Sequence, residues 1–328
     1  MTFEDLRLLA SGFQPSKLFL TAVDLGVFES LAGSERSAAE LAAAIGAESR
    51  ATEIACNALV AMGILELGEG GYRNAEVARR FLDPAAPEYR GSFLKHLHAT
   101  WEDWDALEDT WRTGRAPATR KNQRLPSSME GVRHFILGME NLTRELAPKL
   151  AARLPLVGVT KVLDLGGGPG NYSLAFAQRE PAAEVVHFDL PDPSTVARGF
   201  VAGKPGAERV VFLEGDFLTS PLGEGYGLVW ASQILHALGE VELRRLLERI
   251  AAAMVQGGVL AIHDHFLNPD KVSPLPAALF GVHMLAATRG GRTHSFEEME
   301  GWVDGVGFTP EQRIDYGGAS RVLLARKR

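Results

Sequence analysis

Val162-Leu163-Asp164-Leu165-Gly166-Gly167-Gly168-Pro169-Gly170-Asn171-Tyr172-Ser173 reads as an apolar strand with an acid near its end, a glycine-dense turn and the start of a helix. Glycines are needed where the backbone takes positive φ or where a ligand must touch main chain with no Cβ in the way. Pro169 suits the first turn of the helix that follows. A dinucleotide fingerprint G-x-G-x-x-G would want a glycine at position 171, which is Asn171, so the turn argues against a nicotinamide cofactor.

Two further acids extend the pattern. Glu184-Val185-Val186-His187-Phe188-Asp189 reads as a second strand whose terminal Asp189 can accept hydrogen bonds from both hydroxyls of a ribose. Val210-Val211-Phe212-Leu213 reads as a third, followed by Gly215-Asp216-Phe217, an acid for an adenine amine beside an aromatic that can stack on the base. No Walker lysine and no basic cluster accompany the turn, so nothing is built for a pyrophosphate. An adenosine with a cationic, non-phosphorylated tail fits these residues, which describes S-adenosylmethionine.

From Lys161 onward strands and helices alternate, which predicts an α/β fold with a doubly wound, largely parallel sheet. Ligands in such sheets bind beyond the carboxyl ends of the strands, where the acids sit. Leu228 to Ser232 reads as the fourth strand, and its continuation Gln233-Ile234-Leu235-His236 carries a histidine beyond that edge. Val259 to Ile262 reads as the fifth, running into His263-Asp264-His265. Strand alternation turns Asp264 away from the two histidines, which argues against a metal site there. A strand over 320–326 closes the chain, suited to an antiparallel insertion in the sheet.

The chain of 328 residues is long enough for two domains, and 46% hydrophobic residues suffice for two cores. We expect domains over 1–90 and 151–328, joined by a helical segment over 91–150. Ser37 as N-cap with Glu40 three residues on predicts a helix that Gly46 ends. A helix over 49–62 follows, then two short apolar stretches around Gly68 to Gly71, the pattern of a helix-turn-helix with a β-wing. A wing of this kind raises the question of DNA. Between residues 10 and 85 there are six Lys or Arg against ten Asp or Glu, and the whole chain carries a net charge of −7. Such a surface holds phosphates poorly, which excludes a nucleic-acid partner. The N-terminus lacks a signal-peptide pattern, and no apolar run reaches the roughly 18 residues of a membrane span. Cys56 is the only cysteine, which excludes an intramolecular disulfide. A cytoplasmic protein is expected.

Taken together, Asp164-Leu165-Gly166-Gly167-Gly168-Pro169-Gly170, Phe188-Asp189-Leu190-Pro191, Gly215-Asp216-Phe217, Ile234-Leu235-His236 and Gly290-Gly291-Arg292 resemble the S-adenosylmethionine-dependent O-methyltransferases of the plant caffeate and bacterial polyketide or carotenoid tailoring type. The resemblance runs from about residue 10 to the last strand. It implies a winged-helix dimerisation domain, hence a homodimer, ahead of a Rossmann-like methyltransferase domain. It implies cofactor contacts at Asp164, Gly166, Gly167, Gly168, Asp189, Leu190, Asp216, Phe217 and Ser232. His236 matches the catalytic histidine and Asp264 the first of two acids that flank it. Phe135-Ile136-Leu137-Gly138-Met139 resembles the segment lining the acceptor pocket, to which Met284 is added, and the loop over 113–128 is expected to cover that pocket.

The position of the second acid is occupied by Thr293, and the usual Asp-Trp after the histidine by Ala237-Leu238. With one acid missing, three outcomes stay open. The first is O-methylation of an aromatic or conjugated small molecule. The second is C-methylation or a non-methylating reaction (hydroxylation, decarboxylation, cyclisation) on the same fold. The third is a ligand-sensing winged-helix dimer.

Overall fold

The computed structural model describes residues 1–116 and 128–328, so most of the loop expected over 113–128 lies outside the described residues. The chain divides into two compact units, Met1–Trp101 and Glu102–Arg328.

The first unit is mainly helical. Ser37 caps the helix Ala38–Ile45 by accepting from the Glu40 N–H, while the Glu40 carboxylate accepts from the Ser37 N–H; Gly46, at φ 68°, ends it. The helix Ser49–Ala61 follows. Strands β1 (Leu65–Leu67) and β2 (Tyr72–Asn74) then form an antiparallel pair. Val23, Phe28, Leu31, Leu41, Leu59 and Tyr72 share one core. Two buried side chains pin the pair to that core: Tyr72 donates to Asn57 Oδ1 at 2.7 Å, and Asn74 Nδ2 donates to the Phe28 carbonyl at 2.8 Å. A helix that the sequence reading did not anticipate, Phe3–Ser11, opens the unit with no buried residue.

The second unit is built on a sheet of seven strands among the described residues. They are β3 (Lys161–Leu165), β4 (Glu184–Asp189), β5 (Val210–Glu214), β6 (Tyr226–Ser232), β7 (Met254–Asp264), β10 (Phe308–Ile314) and β11 (Arg321–Lys327). Their order across the sheet is β10-β11-β7-β6-β3-β4-β5. β5, β4, β3, β6 and β7 run parallel, and β11 is antiparallel to both its neighbours. Two short strands, β8 (Phe266–Leu267) and β9 (His294–Ser295), pair separately. β7 begins five residues before the expected Val259, because the helix Glu240–Ala253 gives way to strand at Met254.

Both faces of this sheet are covered, which explains why its strands are almost continuously apolar. Leu163, Leu165 and Val229 face one core, and Val162, Leu228 and Trp230 the other. The chain leaves β3 for β4 and β5 on one side and returns to β6 and β7 on the other. β3 and β6 therefore flank the topological switch point, where α/β sheets place their ligands. The glycine turn leaves β3 and Ser232 ends β6 at that crevice.

Candidate active site

Three of the turn's glycines adopt positive φ: Gly166 at 70°, Gly168 at 54° and Gly170 at 84°. What a Cβ would meet differs among them. At Gly166 it would lie 2.6 Å from Ile234 Cγ2 and at Gly170 2.6 Å from Val201 Cγ2, so both are small because the protein packs against them. Gly167 packs against His187, whose Nδ1 would stand 2.3 Å from a Cβ. At Gly168 a Cβ would meet nothing within 4 Å, so its bare backbone faces open space. The imidazole of His187 is fully buried and its Nδ1 meets Ser173 Oγ, which leaves it little room to yield. Gly167→Ala should therefore cost about 1–3 kcal/mol of overpacking. Urea unfolding of the variant measures that loss, and an unchanged midpoint would show that His187 can move.

The acids at the strand ends behave differently. Asp164 is buried beneath the turn, where it accepts from Ser173 Oγ at 2.6 Å, and burial pushes its carboxyl up to about 7. Ser173 also meets His187 Nδ1 at 3.2 Å, so Asp164 supports the turn from behind. Asp189 is half-buried at the end of β4. It accepts from the Gly168 N–H at 2.8 Å and the Leu190 N–H at 2.7 Å. Burial pushes its carboxyl up to about 6 against the pull of those two donors. A carboxylate has about four lone-pair sites, so capacity remains for two hydroxyl donors. Asp216 follows β5 and accepts from the Leu218 N–H at 2.9 Å, and Phe217 packs against the core beside it.

Bare main chain at Gly168 beside an acid with unused acceptor sites fits an adenosine ribose, and Asp216-Phe217 one strand further fits its base. The residues present thus suit S-adenosylmethionine. Donor hydroxyls favour the ionised form of Asp189, so binding should release a proton and affinity should fall as pH drops through about 6. We expect titrations with S-adenosylhomocysteine to weaken by up to ~10-fold per pH unit below that point and to level off above pH 7. Asp189→Asn should remove this step; a step that persists in the variant would assign it to another group.

Beyond β6 the chain forms a short turn, Leu235–Ala237, that presents His236. Ser232 pairs with His263 across β6 and β7, and this register brings the turn after β6 against Asp264, the last residue of β7. His236 Nδ1 lies 2.6 Å from Asp264 Oδ1, and the His236 backbone N–H donates to Oδ2 at 3.2 Å. Asp264 also accepts from the His265 N–H at 2.8 Å. Burial raises the Asp264 carboxyl, but His236 and the His265 N–H outweigh it and hold the group below the usual carboxylate range. An ionised carboxylate only accepts, so the Nδ1 of a neutral His236 carries the proton and its Nε2 keeps a lone pair.

Phe280, which the sequence reading missed, stands edge-on to His236 with ring centroids 4.7 Å apart and planes at 89°. Phe280 also stacks on His265, with ring centroids 4.0 Å apart. Phe280 and Met284 lie a turn apart on the helix Leu275–Ala287, a spacing that could have revealed the aromatic. Thr293 is buried, its hydroxyl 2.7 Å from where a Gly281 Cβ would stand, so the residue in place of an acid seats against that same helix. Phe135 and Met139 are half-buried, a turn apart on the helix Met129–Thr143. Asn171 ties that helix to the glycine turn by donating to Thr143 Oγ1 at 2.9 Å.

A doubly wound sheet with this turn, these acids and this histidine defines a methyltransferase that uses S-adenosylmethionine. The family described as O-methyltransferase domain matches residues 123–309, and the O-methyltransferase dimerisation domain matches residues 8–84. The chain belongs to the O-methyltransferase family and is an S-adenosylmethionine-dependent O-methyltransferase. It is 29% identical over 324 residues to the 3-hydroxy-5-methyl-1-naphthoate 3-O-methyltransferase of Streptomyces sahachiroi, covering 97% of this chain and 94% of that one. It is 28% identical to the tetracenomycin polyketide synthesis 8-O-methyl transferase of Streptomyces glaucescens, covering 98% and 96%. The crystal structure of human N-acetylserotonin methyltransferase in complex with S-adenosylmethionine superimposes with a TM-score of 0.88 at 25% identity, covering 99% and 97%. Among the described residues no helix is long and apolar enough to cross a membrane.

Proposed function

We propose that this enzyme methylates a hydroxyl on an aromatic or conjugated small molecule, with His236 as general base and Asp264 as its partner. The observation that carries the reading is the 2.6 Å contact between His236 Nδ1 and a buried carboxylate, which leaves Nε2 basic. S-adenosylmethionine supplies a methyl on a positively charged sulfur, a leaving group that needs no protonation. The protein's work is therefore to align the nucleophilic oxygen and remove its proton. Gly166, Gly167 and Gly168 shape the cofactor turn over Asp164, Asp189 and Leu190 take the ribose, Asp216 and Phe217 the base, and Ser232 the crevice beside them. Phe135, Met139 and Met284, with Phe280, offer apolar surface to an aromatic acceptor. The bacterial relatives, named for a naphthoate and a polyketide, support this acceptor class.

Incubation with S-adenosylmethionine and a panel of phenols and enols tests the proposal, with the methyl located by NMR. Methyl on oxygen is the expected result; methyl on carbon, or consumption of acceptor without methylation, would overturn it.

We further propose that the enzyme acts as a homodimer through a winged-helix N-terminal domain. The family match over residues 8–84 supports this, as do Phe3, Leu6 and Leu9 on the first helix and Phe13 just beyond it, apolar side chains that are 81%, 50%, 74% and 58% exposed. Light scattering should return twice the chain mass. Its place of work we take to be the cytoplasm, where the free, buried thiol of Cys56 would stay reduced.

A further inference from the structure

Another buried histidine, next in sequence to Asp264, is absorbed by none of the roles above. His263 is 2% exposed near the end of β7. Its Nδ1 lies 2.8 Å from Ser232 Oγ. Its Nε2 lies 2.7 Å from the Tyr316 hydroxyl and 2.8 Å from Ser320 Oγ, and those two hydroxyls are 2.6 Å apart. Tyr316 and Ser320 belong to the loop between β10 and β11, remote in sequence from every cofactor motif. Ser232 is followed by Gln233, held at φ 57° with its N–H donating to the His263 carbonyl at 2.8 Å. A non-glycine residue in that region is strained and persists only where its surroundings dictate it.

The protons in this network can be assigned. Burial lowers the His263 imidazole to about 4, so it is neutral and carries one N–H. The phenol is the most acidic hydroxyl of the three, which makes Tyr316 the donor to Nε2. Ser320 then donates to the Tyr316 oxygen. The imidazole proton is left on Nδ1, where it donates to Ser232 Oγ. Ser232 accepts that bond and its own hydrogen points away from His263, where the nearby Tyr172 hydroxyl and a ligand in the crevice can both receive it.

We propose that Tyr316 and Ser320 are positioning residues for the cofactor: through His263 they fix the Ser232 hydroxyl as a hydrogen-bond donor to the carboxylate of the cofactor's amino-acid tail. This rests on the reading that the crevice at the ends of β3 and β6 holds S-adenosylmethionine. Were Nε2 to lose both hydroxyls, the tautomer would no longer be dictated, and Ser232 could turn its hydrogen onto Nδ1. Tyr316→Phe alone should have little effect, because Ser320 is close enough to donate to Nε2 in its place.

Calorimetric titration with two probes separates positioning from a purely structural role. S-adenosylhomocysteine carries the amino-acid tail and 5′-methylthioadenosine lacks it. We expect Ser232→Ala and the double variant Y316F/S320A each to weaken S-adenosylhomocysteine by about 10- to 100-fold, the worth of one hydrogen bond to a charged group. Methylthioadenosine should be unaffected, and Y316F/S320A should add nothing in the Ser232→Ala background. Equal losses for both probes, additive losses, or an unaltered Ser232→Ala would each overturn the proposal. Asp189→Ala should weaken both probes, since both carry the ribose. If it weakened neither, the assignment of the cofactor crevice would fall, and this inference with it.

Discussion

Replacing His236 with Ala should lower the rate of methyl transfer by about 10²- to 10⁴-fold, the usual contribution of a positioned general base. A phenol of pKa near 10 is almost wholly protonated at neutral pH, and an unionised hydroxyl is a poor nucleophile toward a methyl group. His236 is placed to correct this, because Asp264 fixes both its ring nitrogen and its backbone N–H. Phe280 limits rotation of the ring from the side. The variant should bind S-adenosylhomocysteine as the native enzyme does, since the hydrogen bonds of His236 go to Asp264 and those of Asp189 to Gly168 and Leu190. Single-turnover rates and calorimetry on the same preparation check both halves; a rate within a few-fold of native would remove the base assignment.

The second large effect is on binding. Asp189→Ala should weaken S-adenosylmethionine by about 10²- to 10³-fold, which corresponds to losing two hydrogen bonds to a charged acceptor. Gly168 would also lose the acceptor of its N–H, and that bond now holds the turn against the end of β4. Raising the cofactor concentration should recover much of the maximal rate, because Asp189 and the His236–Asp264 pair sit at the ends of different strands. Calorimetry measures the affinity directly, and a native value would move the ribose site elsewhere.

Much of the frame could be read from the chain because its signals are local. The apolar run Val162–Leu165 into Gly166 announces a strand and a ligand-facing turn, and Ser37 with Glu40 announces a helix start. His236 and Asp264 were both legible through the resemblance. Their contact, across 28 residues, depends on the pairing of β6 with β7. Side chains whose partners are distant left no periodic trace. His263 reads only as part of a His-Asp-His triplet just past the fifth strand, and its partners Tyr316 and Ser320 lie 53 and 57 residues away. Phe280 reads as ordinary helix core until the fold sets it against His236. Asp164 looked like its fellow acids, but it shares the parity of Val162 along β3 and is buried behind the turn. The helix Phe3–Ser11 escaped because its apolar residues find no core within their own unit.

The most direct measurement compares native enzyme with the His236→Ala variant across phenols of graded acidity at one fixed pH. If His236 removes the acceptor's proton, the native-to-variant rate ratio should be large for weakly acidic phenols. It should fall toward one for acceptors already ionised at that pH. A ratio that stayed constant across the series would contradict general-base catalysis and leave His236 a structural part of the pocket.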